Sequence, residues 1–258
     1  MKLLLTALVA GLVAVSAIWL GDADGRPEQG IDKSMHTYVF VHGASGGAWD
    51  WKGVDKILTD RGHEVYRVTL TGLGERAHLA SDRVNLTTHI LDVANTIAFE
   101  SLNQVVLVGH SYGGMVITGV MNHMPDRIKQ AVFLDAAVPA HGMSAFDLWP
   151  DMAEHRVEDG MVYFSWLNPD LVPPGDVPQP LATLTEPVAF NNVHAQNLPA
   201  VYIGFVDNES GAKTAAESDP SWQRAVSREW PIYRLISDHN AQRSHPYQLA
   251  DLLESVVK

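Results

Sequence analysis

Gln104-Val105-Val106-Leu107-Val108-Gly109-His110-Ser111-Tyr112-Gly113-Gly114 runs from an unbroken apolar segment into a glycine-framed serine. A short apolar run without polar alternation predicts a central parallel strand, covered on both faces. A helical stretch from Tyr112 to about Met121 follows with no spacer. Strand, G-x-S-x-G and helix in immediate succession demand a sharp bend, with the serine in strained backbone geometry and its hydroxyl clear of the sheet edge. The helix turns its first N–H groups toward any negative charge that develops there. Ser111 is therefore the candidate nucleophile.

A serine hydroxyl is too weak an acid to attack unaided, so a base must lie within hydrogen-bond reach. For a bend of this kind the chain order is serine, then acid, then histidine. Of twelve histidines, His239 has the right place: it follows a strand-like run, Pro231 to Ile236, and precedes an amphipathic closing helix, Pro246 to Val257. His245, beside Pro246, is the competitor. Two backbone donors are needed for an oxyanion. The N–H of Tyr112 is one candidate, and the N–H of Ala44, in the loop His42-Gly43-Ala44-Ser45-Gly46-Gly47, is the other. The acid has to orient the imidazole. Asp207, just after the run Ala200 to Phe205, is in the expected place; Asp135, after the run Ala131 to Leu134, is the competitor, and the sequence excludes neither.

Around this centre, short apolar runs alternate with helical spacing. Thr37 to Val41, Val65 to Leu70, Gln104 to Val108, Ala131 to Leu134, Ala200 to Phe205 and Pro231 to Ile236 predict six strands. Helices are predicted over 49–59, from Thr87 or Thr88 to Glu100, and over 112–121 and 246–257. Alternating strands and helices imply a mostly parallel sheet with helices on both faces. The rhythm breaks from Pro139 to about Pro199, where prolines crowd together with Phe146, Trp149, Tyr163, Phe164 and Trp166. Aromatics at that density are costly to leave in water, so this insertion reads as a folded cap.

The 258 residues suffice for one large domain with a substantial core. A hydrophobic content of 46% against 19% charged residues places the chain among globular proteins. The net charge of −12 offers no basic stripe for a nucleic acid. The absence of cysteine removes disulfides, thiolate metal sites and a thiol nucleophile. No H-E-x-x-H occurs, and His63-Glu64 stands alone, so no metal or cofactor is expected. Residues 1–20 pair Lys2 with the apolar run Leu3 to Leu20, and Val15-Ser16-Ala17 offers small residues for cleavage. They read as an export signal or, if uncleaved, a membrane anchor, followed by a polar linker to residue 36. The chain is thus expected to be exported or membrane-tethered, with membrane contact only through that segment.

These motifs carry a resemblance. Val41-His42-Gly43-Ala44-Ser45-Gly46-Gly47-Ala48-Trp49 resembles the opening loop of plant methyl esterases, hydroxynitrile lyases and their bacterial esterase relatives. Leu70-Thr71-Gly72-Leu73-Gly74-Glu75-Arg76, Gly109 to Gly114, Phe133-Leu134-Asp135-Ala136-Ala137-Val138-Pro139 and Asp238-His239 with Leu249-Ala250-Asp251-Leu252-Leu253 are similar to further segments of that group. The resemblance implies an α/β-hydrolase fold with an inserted cap. It also implies a cofactor-free serine hydrolase acting on a small ester, with Ser111 and His239 in the catalytic positions. In ungapped register from Tyr202 the group's acid falls on Asn208, with Asp207 one place earlier. The lysine that lyases carry after the catalytic histidine is Asn240 here, which disfavours cyanide release. A lactone or carbon–carbon bond hydrolase and a small-molecule receptor on the same fold are the alternatives.

Overall fold

The computed structural model describes residues 35–168, 170, 172–206 and 218–258. The apolar N-terminal run and its linker, Asp207 and Asn208 lie outside the described residues.

The central sheet contains β1 (Thr37–Val41), β2 (Glu64–Val68), β3 (Val105–His110), β4 (Ile128–Leu134), β8 (Ala200–Val206) and β9 (Ile232–Ile236), in the order β2-β1-β3-β4-β8-β9. Every pairing is parallel. The α/β architecture expected from the alternating runs is therefore present. Side chains along a strand alternate between faces, and here both faces are covered. Val39, Val41, Val105 and Leu107 join one buried cluster, while Tyr38, Phe40, Val106 and Val108 join the other. The first cluster takes in residues of α2 (Leu86–Phe99) and α3 (Gly113–His123). The second takes in α1 (Lys52–Asp60) and the last helix, α9 (Pro246–Val256). Continuous apolar strands in the sequence are the direct consequence of this double coverage.

Most predicted boundaries shift by a residue or two. The second strand stops at Val68 instead of Leu70 because side chains take over its backbone partners. The Leu70 N–H donates to His42 Nε2 at 3.1 Å, and the Thr69 carbonyl accepts from Arg76 Nη1 at 2.9 Å.

Between β4 and β8 the chain builds a small antiparallel sheet of β5 (Arg156–Glu158), β6 (Met161–Tyr163) and β7 (Gln179–Pro180). Three one-turn helices accompany it, α4 (Ala145–Leu148), α5 (Ala182–Thr185) and α6 (Val193–Gln196). Val162, Phe164, Leu184 and Phe190 are buried in the same cluster as the helices beneath. The chain then passes through α7 (Pro220–Ser227) and, after β9, α8 (Ala241–Ser244). Among the described residues no helix is long and apolar enough to cross a membrane.

Register determines where the chemistry gathers. Val41 pairs with Gly109, His110 with Leu134 and Leu134 with Ile203. The carboxyl ends of the central strands therefore share one edge, which is where ligands collect in open parallel sheets.

Candidate active site

Ser111 stands at the tip between β3 and α3 with φ of 52°, in the left-handed region. L-residues reach this region only at a cost of about 1–2 kcal/mol. Three backbone bonds hold it there. The Ser111 N–H donates to the Leu134 carbonyl at 3.2 Å, and its own carbonyl accepts from Ala137 N–H at 2.9 Å and Gly114 N–H at 3.0 Å. The flanking glycines are needed for close approach. A Cβ on Gly113 would lie 2.8 Å from the carbonyl oxygens of Val41 and His42, and one on Gly114 would overlap the Ala137 carbonyl.

His239 follows β9. Its Nδ1 lies 2.6 Å from Oδ2 of Asp135, the residue directly after β4. An ionised carboxylate only accepts hydrogen bonds, so Nδ1 donates and the Nε2 lone pair is left for a proton. Asp135 is itself in left-handed geometry, with φ of 42°, and its N–H donates to the Ile203 carbonyl at 2.8 Å. The two carboxylates left open by the sequence thus have different standing: Asp135 contacts the imidazole, and Asp207 lies outside the described residues.

His110 braces this arrangement from below. Its Nε2 donates to the His239 carbonyl at 2.6 Å, the two rings are 4.7 Å apart, and the Gln242 amide nitrogen lies 3.4 Å from its Nδ1. Burial first, then the neighbouring His239, depresses its basicity well below the usual histidine range. A neutral ring is what a donor to a carbonyl with an acceptor on its other nitrogen requires. His245, the competitor for the base, is bonded instead to the hydroxyls of Ser237 and Ser244.

Gly43, Ala44, Ser111, Asp135 and His239 line one cavity of about 670 Å³. Tyr112 is fully buried behind it, its hydroxyl 2.9 Å from His89 Nδ1, so its side chain anchors the bend while its backbone starts the helix. Trp149, Met152, Trp166, Tyr202 and Phe205 supply apolar wall, and Asp50, Asp176 and Arg243 form a charged corner. That corner escaped sequence reasoning. Its one local signal is an aspartate between two tryptophans, Trp49-Asp50-Trp51, just past the glycine-rich loop. Among the described residues, no group of three or more His, Cys, Asp or Glu side chains is arranged to hold a metal ion.

Among the described residues, Ser45 fastens the cap to the glycine-rich loop. Ser45, with φ of 59°, donates its N–H to Gln179 Oε1 at 2.9 Å and offers its carbonyl to Val177 N–H at 2.9 Å. Its hydroxyl accepts from Trp166 Nε1 at 3.1 Å. The Trp166 ring stacks on Phe164 at 4.3 Å.

Comparison with known proteins identifies the family and agrees with the fold. The model of the alpha/beta hydrolase family matches residues 38–252. A pheophorbidase from Raphanus sativus is 30% identical over 89% of this chain and 97% of its own length. A carbendazim hydrolyzing esterase from a Nocardioides strain is 49% identical over 45% of this chain, and the match spans about half of that esterase, 48%. Among solved structures, an extracellular alpha/beta-hydrolase from a Paenibacillus species superimposes with a TM-score of 0.69 at 22% identity, over 86% of this chain and 99% of that one.

Proposed function

Because the chain belongs to the alpha/beta hydrolase family, in its plant methylesterase-like group, we propose that it cleaves a small carboxylic ester through an acyl-enzyme on Ser111. In this reading His239 takes the Ser111 proton as the oxygen attacks the carbonyl carbon. Asp135 holds the ring and balances the imidazolium charge. The backbone N–H groups of Ala44 and Tyr112 receive the oxyanion. His239 then gives its proton to the departing alcohol, and a water molecule activated by the same ring releases the acid.

The observation that carries this reading is the 2.6 Å contact between His239 Nδ1 and Asp135, on a ring that shares its cavity with the strained Ser111. The apolar run at residues 3–20 supports an exported or membrane-tethered location for the enzyme.

The test is hydrolysis of a panel of small methyl and aryl esters, together with labelling by a fluorophosphonate. Wild type is expected to turn over at least one ester and to label once. Ser111→Ala is expected to do neither while melting cooperatively. An Ala variant that keeps wild-type kcat would overturn the assignment.

A further inference from the structure

One side chain of the cap is sealed inside the molecule and directs both ends of its amide toward the catalytic centre. Gln179, in β7, is fully buried. Its Oε1 accepts from the Ser45 N–H at 2.9 Å, and its Nε2 donates to the Thr183 hydroxyl at 2.8 Å. The Thr183 hydroxyl in turn meets that of Tyr112, which donates to His89 Nδ1 at 2.9 Å. His89 Nε2 closes the run on the Thr71 carbonyl at 2.9 Å. A carbonyl only accepts, so Nε2 carries the ring proton and Nδ1 is free to accept. Burial takes His89 down to about 4, which keeps the ring neutral in that role. Ser45, Gln179, Thr183, Tyr112 and His89 are all fully buried, and a buried polar network with its partners in place is rigid.

The run reaches both places where the oxyanion donors are assigned. Tyr112 carries one N–H, and Ser45 directly follows Ala44, which carries the other. The Ala44–Ser45 peptide is pinned on both sides, its N–H by Gln179 and its carbonyl by the Ser45 hydroxyl at 2.7 Å. Ser45 needs that restraint, because its φ of 59° is left-handed geometry that a residue with a Cβ leaves readily. Leaving it rotates the peptide in front of Ser45 and displaces Ala44. Removal of the Gln179 acceptor would also strand a buried N–H, so both effects push the loop the same way.

We propose that Gln179 is a positioning residue for the reaction at Ser111. Through the Ser45 N–H it holds the Ala44 N–H where the oxyanion forms, and through Thr183 it ties that donor to the one on Tyr112. An oxyanion is stabilised only by donors already aimed at its final position, so the cap contributes to rate and not merely to enclosure. The proposal deepens the ester-hydrolase reading and rests on it for the identity of the reaction.

Gln179→Met, of similar length but without the acceptor, is compared with wild type and with Gln179→Glu, whose carboxyl accepts from the Ser45 N–H whether protonated or ionised. On the panel ester that wild type turns over fastest, Gln179→Met is expected to lower kcat about 10- to 100-fold with KM within about threefold, less than the roughly 10²–10³ lost with a whole oxyanion donor. Gln179→Glu is expected to restore kcat to within about fivefold of wild type. The acidic limb of the kcat–pH profile is expected to stay in place, since His239 and Asp135 are untouched. A KM rise at unchanged kcat, a displaced limb, no recovery in Gln179→Glu, or a lower melting temperature as the sole effect overturns the positioning role. Should Gln179→Met fail to fold, Thr183→Val is read by the same kcat and KM criteria.

A second measurement needs no ester turnover. Labelling by an alkyl fluorophosphonate is a single substitution: Ser111 Oγ bonds to phosphorus, its proton passes to His239, and fluoride leaves with the P–F electron pair while the phosphoryl oxygen takes the oxyanion's place. The second-order labelling rate is expected to fall at least about tenfold in Gln179→Met and to recover in Gln179→Glu. Equal rates in wild type and Gln179→Met overturn the positioning role. A wild type that labels but hydrolyses no ester, with labelling slowed in Gln179→Met, counts against the ester reading alone. Ester hydrolysis at equal kcat in both proteins counts against the positioning role alone.

Discussion

Oδ2 of Asp135 lies 2.6 Å from Nδ1 of His239, although 104 residues separate them in the chain. β4 lies beside β3, so the residue following Leu134 emerges next to the residue following His110, and β9, joined to β4 through β8, brings His239 to the same edge. The Asp135 backbone has to enter left-handed geometry to turn its carboxylate inward.

Asp135→Asn is therefore expected to lower kcat by roughly 10⁴-fold, the scale seen when the orienting carboxylate of such a triad is neutralised. Asp207→Asn is expected to leave kcat within about threefold. Steady-state kinetics of both variants on one ester decide the matter; the reverse ranking would return the acid's role to Asp207.

Strain at Ser111 makes a stability prediction separable from activity. Both Ser111→Ala and Ser111→Gly remove the hydroxyl, but only glycine enters φ of 52° without penalty. The Gly variant is expected to be about 1 kcal/mol more stable than the Ala variant by urea denaturation. Equal midpoints would mean that the bend is relaxed in solution.

Close packing beneath the bend is tested at Gly114. A methyl group there meets the Ala137 backbone, which cannot move without dragging the segment next to Asp135. Gly114→Ala is expected to cost about 3 kcal/mol or more. Gly142, with φ of 81° but open space around its Cβ position, is expected to lose only about 1 kcal/mol on the same change. Thermal melts of the two variants side by side provide the comparison.

Asp50 links pH to stability. Its carboxyl titrates near 6 in the folded chain against 3.8 for the free side chain, so the folded state holds the proton more tightly. Its contribution to stability is present in full below about pH 4, fades as pH rises through 6, and leaves the ionised group as a burden above that. Asp50→Asn is accordingly expected to raise stability by about 1–3 kcal/mol at pH 8 and by little at pH 4. Denaturation midpoints at the two pH values measure it, and a loss at pH 8 would show that the Arg243 ion pair outweighs burial.

The ease with which each part was read from sequence follows how locally it is encoded. The bend at Ser111 was legible because its strand, turn and helix are contiguous and the glycines report close approach directly. His239 was legible from order alone, as the residue between the last strand and the last helix. The carboxylate that contacts the ring was not, because Asp135 and Asp207 both follow strands in sequence, and the contact of Asp135 depends on a backbone angle that no sequence pattern reports. The Asp50–Asp176 corner left even less trace: its halves come from the first turn after β1 and from the cap, and no periodicity connects them.

Ser45 has a practical corollary. Ser45, beside Ala44, is hydrogen-bonded to Gln179, Val177 and Trp166 of the cap, so three bonds tie the covering segment to the glycine-rich loop. Directed evolution that rebuilds the cover around those three anchors will trade catalytic speed against choice of molecule. Libraries confined to Met152 and Trp149, which face the cavity but stay off that joint, are where new preferences should arise at undiminished pace.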